Sequence, residues 1–145
     1  MTQKPLLRVE NLAVAFGQAP AVNGVGFDLP AGGALGVVGE SGSGKSVTAL
    51  AILRLLDPHG RIVGGRILFQ GTDLLAMPAS ALPDIRGRDI AMVFQEPMSS
   101  LNPLMTVGDQ VGEAILLHQD LSRTERRARV VELLRLVGIP DPEAR

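Results

Sequence analysis

The chain has 145 residues, 46% of them hydrophobic and 20% charged, an ordinary globular balance with enough apolar material for a buried core. Fourteen Lys and Arg against fifteen Asp and Glu leave a net charge of −1, so no summed field draws the chain to nucleic acid or to an anionic membrane, and any anion site must be built locally. There is no cysteine, no secretory leader pattern in residues 1–10, no apolar run near the ~20 residues of a membrane span, and neither Tyr nor Trp for stacking on single-stranded nucleic acid, so a soluble cytoplasmic chain that binds no nucleic acid is expected.

In chain order, Leu12, Val14 and Phe16 alternate with smaller residues. Val25, Phe27 and Leu29 repeat the pattern after the turn-rich stretch 17–21, which predicts two paired strands. Residues 34–38 form a short, almost wholly apolar run, the pattern of a strand buried on both faces. Glycines follow it, and then a helix-compatible stretch over 45–56. Residues 66–69 read as another strand, closed by Gly71, and residues 90–94 as a further buried one.

From Thr106 the character becomes helical. Thr106 with Asp109, and Ser122 with Glu125, have the spacing in which a cap oxygen and an acidic residue three positions on satisfy free amides. The second helix, about 123–137, places Val130, Leu133, Leu134 and Val137 on one face and Arg126, Arg127, Arg129 and Arg135 largely elsewhere, and it ends at Gly138 and Pro140. The arginines read as its solvated face. His59 and His118 lack partners at metal-ligand spacing. Two parts are expected: 1–96, a β part with the core that follows it, and 97–145, where helices begin.

Gly39-Glu40-Ser41-Gly42-Ser43-Gly44-Lys45-Ser46 fits G-x-x-x-x-G-K-[ST]. Glycines let consecutive backbone N–H groups turn inward around phosphate oxygens, and the following helix adds its positive N-terminal end. Lys45 supplies an ammonium for the outer phosphates and Ser46 a hydroxyl for Mg²⁺. Lys45 is one of two lysines in a chain that otherwise uses arginine. A Gly/Ser-rich flexible turn would need neither the apolar strand before nor the apolar helix after. The loop alone does not separate kinases, small GTPases, helicases and transport ATPases.

The second element is Val93-Phe94-Gln95-Glu96-Pro97-Met98-Ser99-Ser100-Leu101-Asn102-Pro103, in which a glutamine directly follows the apolar run. Together with the phosphate loop it resembles the ATP-binding subunits of ABC transporters of the dipeptide/oligopeptide/nickel import group, and the resemblance covers essentially the whole chain. It implies an α/β fold: a P-loop NTPase, ABC-type nucleotide-binding domain, truncated, with an N-terminal antiparallel β part and the start of a helical subdomain. It implies ATP and Mg²⁺ as cofactors, bound by Gly39, Ser41, Gly42, Ser43, Gly44, Lys45 and Ser46. Gln95 matches a glutamine that contributes to Mg²⁺ and to the attacking water and whose loop senses the membrane partner. Phe16 matches an aromatic residue that stacks on adenine, with Val22 as a side wall of the base pocket. An ordinary strand-core role is the alternative for Phe16, and a solvated strand end the alternative for Gln95.

The resemblance further implies work at the cytoplasmic face of the inner membrane, with permease subunits, with a second nucleotide-binding domain in a homo- or heterodimer, and indirectly with a periplasmic or extracellular solute-binding protein. An LSGGQ-like signature, a strand ending in Asp-Glu and a histidine loop are absent from the 145 residues. A fragment of an importer ATPase that holds the nucleotide without the full hydrolytic set is therefore expected. The alternative is a truncated, non-catalytic nucleotide-binding module.

Overall fold

A computed structural model describes residues 4–94 and 100–144. Two compact units form, Met1–Leu82 and Pro83–Arg145. The division expected between 96 and 97 lies outside the described residues.

The first unit is built on a four-stranded antiparallel sheet in the order β2-β1-β3-β4, with β1 Leu7–Phe16, β2 Ala19–Leu29, β3 Gly60–Phe69 and β4 Thr72–Asp73. The expected hairpin forms: β1 turns into β2 through Gly17 and Gln18, with Gly17 at φ 60, and Phe16 opposes Ala19 as the closing pair. Arg8 and Asp28, directly opposite across the pair, join through two side-chain hydrogen bonds of 2.7 Å.

A bulge organises β1. Asn11 takes φ 47 and the register shifts between Val9 and Leu12, so Val9 before it and Leu12 and Val14 after it all face the core despite their opposite parity. On the other side Gly65 of β3 faces this bulge at φ 92. A Cβ there would lie 2.6 Å from the carbonyl oxygens of Glu10 and Asn11. The core closes with Ile67, Leu74 and Leu82, all buried.

Helix α1, Lys45–Ile52, packs on β1 and β2 and buries Thr48 and Ala51. It is shorter than the expected 45–56, because Arg54 turns to φ 51 and its Nη1 donates to the carbonyls of Leu74 at 3.2 Å and Met77 at 2.6 Å. Strand β3 begins at Gly60, well before the expected 66. Residues 34–38 form no strand, and Val37 and Val38 are 56% and 98% exposed. An apolar strand of this kind holds its shape only through neighbours that satisfy both backbone edges, and none of the described strands pairs with it.

In the second unit, α2 Val107–His118 and α3 Arg123–Leu136 form an antiparallel pair around Ile115, Val130 and Leu134. Gly112 of α2 faces α3, where a Cβ would rest in ordinary van der Waals contact with Val130 at 3.6 Å. Both predicted caps are present. Thr106 accepts from the Asp109 amide at 3.0 Å, and Ser122 with Glu125 completes a reciprocal capping box. Helix α3 ends in a Schellman turn: Gly138 at φ 78 donates to Arg135 and Ile139 donates to Leu134. Val137, expected on the apolar face, is consequently past the helix end and 71% exposed. In the expected strand 90–94 only Ile90 bridges, to Arg86, and Val93 is 95% exposed. Among the described residues no helix is long and apolar enough to cross a membrane.

Candidate functional site

The segment that leads into α1 places glycines at 39, 42 and 44, each under a different constraint. Gly44 precedes the helix at φ 90, in the left-handed region. A Cβ there would lie 2.6 Å from the Ala21 carbonyl oxygen and 3.0 Å from Val22 Cγ2, so the helix end is seated directly on β2. Gly42 has φ 82 with open space around it, a position set by backbone conformation alone. At Gly39 the limit is space, because a Cβ would come within 2.6 Å of Ser43 Oγ.

The loop is folded onto itself. The Ser43 amide donates to the Glu40 carbonyl at 3.2 Å. Lys45 Nζ donates to the carbonyls of Gly39 and Glu40, both at 2.7 Å, and more weakly to Ser43 Oγ at 3.3 Å. An ammonium has three protons, and all three point at loop oxygens, which draws the positive charge into the concave side of the turn. The start of α1 carries no side-chain cap and no acidic residue in its first turn. Thr48 anchors it instead: its amide and its Oγ1 both donate to the Gly44 carbonyl, at 2.8 and 2.9 Å, with Thr48 buried. The positive end of the helix dipole, the Lys45 ammonium and the exposed hydroxyls of Ser41 and Ser46 thus share one short segment, a donor set suited to an anion with several oxygens.

Residues 39–46 form one loop leading into α1, and Val22 lies against it through Gly44. Phe16 sits on the tip of the same hairpin, half-buried, with its ring against Gly60. Gln95 lies outside the described residues. Sequence reasoning missed Ala21, whose contribution is a backbone carbonyl and leaves no trace in residue type. It also missed Thr48, for which the signal was a hydroxyl four residues after Gly44, the spacing at which Ser and Thr bond back within a helix. Among the described residues no group of three or more His, Asp or Glu is placed to hold a metal ion.

The family model described as ABC transporter matches residues 22–145. The chain is 52% identical to the peptidoglycan transport ATP-binding protein YejF of Agrobacterium fabrum, over 98% of this chain and 27% of that protein. It is 49% identical to the dipeptide transport ATP-binding protein DppD of Bacillus subtilis, over 97% of this chain and 43% of that one. With the oligopeptide transport ATP-binding protein OppD of the same organism the identity is 48%, over 97% and 40%. The chain thus spans less than half the length of these relatives. Among solved structures, the dimeric ATP-binding cassette MJ0796 in a post-hydrolysis state, bound to ADP and Pi, superposes with a TM-score of 0.74 at 25% identity, covering 90% of this chain and 56% of that one. With the family match running through the glycine loop and both helical segments, the chain belongs to the ABC transporter family.

Proposed function

We propose that the chain is the MgATP-binding portion of an ATPase that energises uptake of peptides or a similar solute through a membrane permease. The observation that carries this is the seating of Lys45: its ammonium is held inside a loop whose glycines exclude side chains, at the uncapped start of α1. The fit to a polyphosphate rests on the same geometry. A Cβ at Gly39 would crowd the Ser43 side chain within the loop, and one at Gly44 would crowd Ala21 and Val22 of β2 beneath it, so glycine keeps the loop both compact and seated on the sheet.

In this reading the loop amides and Lys45 hold the β- and γ-phosphates. The Ser43 contact, the longest of the three at 3.3 Å, is the one that gives way to phosphate. Ser46 holds Mg²⁺ with its hydroxyl, and Gln95 contributes to the metal and to the attacking water. Phe16 stacks on the base beside Val22. Bound MgATP supplies the phosphoanhydride whose cleavage is coupled to transport. Residues 1–96 form the β part and phosphate-loop core, and 97–145 the start of a helical subdomain.

The relatives' names speak of peptide, dipeptide and peptidoglycan transport, and the MJ0796 cassette is dimeric. By analogy the working partners are permease subunits at the inner membrane, a second nucleotide-binding domain and, indirectly, a solute-binding protein, with this chain on the cytoplasmic face. The metal assignment is checked by titrating ATP with and without Mg²⁺. Ser46→Ala should abolish most of the Mg²⁺-dependent gain in affinity, while an unchanged gain would remove Ser46 from the metal site.

A further inference from the structure

The geometry points to Gly60 as the positioning residue that sets the attitude of the Phe16 ring. This rests on the proposal that Phe16 stacks on adenine. Phe16 is the last residue of β1 and is flanked across the sheet by Ala19 on one side and Gly60, the first residue of β3, on the other. Directly opposed residues share a face, so the ring lies between a methyl group and no side chain at all. It takes the empty side. A Cβ on Gly60 would sit 2.8 Å from Phe16 Cε1 and 3.0 Å from Cζ, so the ring leans over the Gly60 Cα and occupies the volume of the missing side chain.

Gly60 is not there for its backbone. Its φ lies outside the left-handed region that nine other glycines of this chain occupy, and its amide donates to the Asp57 carbonyl at 2.7 Å, as any residue's could. After the two ring carbons, the next nearest atom to a Cβ would be the Asp57 carbonyl oxygen, at 3.3 Å. The ring is therefore the main group an alanine would have to move. Phe16 is half-buried, so with Gly60 beneath it part of the ring stays available to a ligand. A methyl group at position 60 would displace the ring from this rest position, and none of the three atoms nearest to it belongs to the phosphate loop.

A purely structural role, an aromatic ring covering a glycine to stabilise a sheet edge, would use the same contact but would not distinguish ligands. The test is a double-mutant cycle on the 145-residue chain, titrated with ATP and separately with inorganic triphosphate. Gly60→Ala should weaken ATP about three- to tenfold and leave triphosphate unchanged, the size of one aromatic contact. In the Phe16→Ala background the same substitution should have no effect on either ligand. A loss of ATP affinity that persists without the ring, or that extends equally to triphosphate, would overturn the assignment, as would no loss at all. If Phe16→Ala itself leaves ATP binding unchanged, the base-stacking proposal falls and this inference with it. Should Gly60→Ala alone not fold, the contact predicts that Phe16→Ala restores folding. A double variant that stays unfolded would place the cause elsewhere and refute the role.

Discussion

Replacing Gly44 by alanine tests how the phosphate loop is held to the sheet. Two costs add at this position. The residue stands at φ 90, where an L side chain costs about 1–2 kcal/mol. The new carbon also lies 2.6 Å from the Ala21 carbonyl oxygen, a backbone atom fixed by the β1–β2 pairing, and 3.0 Å from Val22 Cγ2, and such overpacking costs about 1–3 kcal/mol. The sum, about 2–5 kcal/mol, is a large share of a domain's usual stability of about 5–15 kcal/mol. Gly42→Ala is the internal control: φ is 82, but nothing lies within 4 Å, so only the conformational cost of about 1–2 kcal/mol applies. Gly36→Ala, with neither constraint, should fall within about 0.5 kcal/mol of the parent. Urea unfolding of the three variants, compared by midpoint at equal slope, gives the order Gly44 > Gly42 > Gly36. Equal destabilisation at 44 and 42 would refute the seating of the α1 N-terminus on Ala21 and Val22.

Three further outcomes follow from the packing and the caps. Leu12→Ala, at a fully buried position of β1, should cost about 2–5 kcal/mol in the same assay, while Val63→Ala, 64% exposed on β3, should stay within about 0.5 kcal/mol. Gln110 accepts from the Asn102 amide at 2.7 Å and donates to the Asn102 and Met105 carbonyls at 3.0 and 3.2 Å. Gln110→Ala should therefore speed hydrogen exchange at the Asn102 amide and leave the α3 amides unchanged. The Glu125 carboxyl is held below its ordinary value of 4.5 by hydrogen bonds from the Ser122 side chain and then the Ser122 backbone. A depressed folded value means that its stabilisation is present above the ordinary value and is lost as pH falls through the lower, folded one. Helicity of α3 should accordingly decline on acidification through that range in the parent chain, and the acid-dependent part should vanish in Glu125→Gln.

What could be read from the sequence was local chemistry. The β1–β2 hairpin follows from alternation around Gly17, and both helix caps follow from Thr106 and Ser122 three residues before an acid, because each interaction closes within a few residues. The loop 39–46 was legible for the same reason, since its glycines and lysine act on their own neighbours. The apolar runs 34–38 and 90–94 were read as strands, but apolar character specifies only that a segment is to be covered. Covering depends on partner strands that the run itself does not encode, and among the described residues none pairs with 34–38. Strand β3 was hidden behind Gly60, Gly64 and Gly65, residues poor in strand propensity. Gly65 is explained by the Asn11 bulge on the neighbouring strand, a tertiary cause with no sequence marker. The early end of α1 depends on Arg54 reaching carbonyls twenty and more residues away, which propensity does not encode.

The proposal that this loop holds the phosphates of a nucleotide is tested most directly by equilibrium titration of the parent chain and of Lys45→Ala with a fluorescent ATP analogue in the presence of Mg²⁺. The Lys45 ammonium donates to oxygens of its own loop and not to the sheet, so the variant should unfold thermally close to the parent. Its affinity should fall about 10- to 100-fold, the loss of one charge-assisted phosphate contact. Equal affinities for the two proteins, both folded, would contradict the assignment of residues 39–46 as the phosphate site.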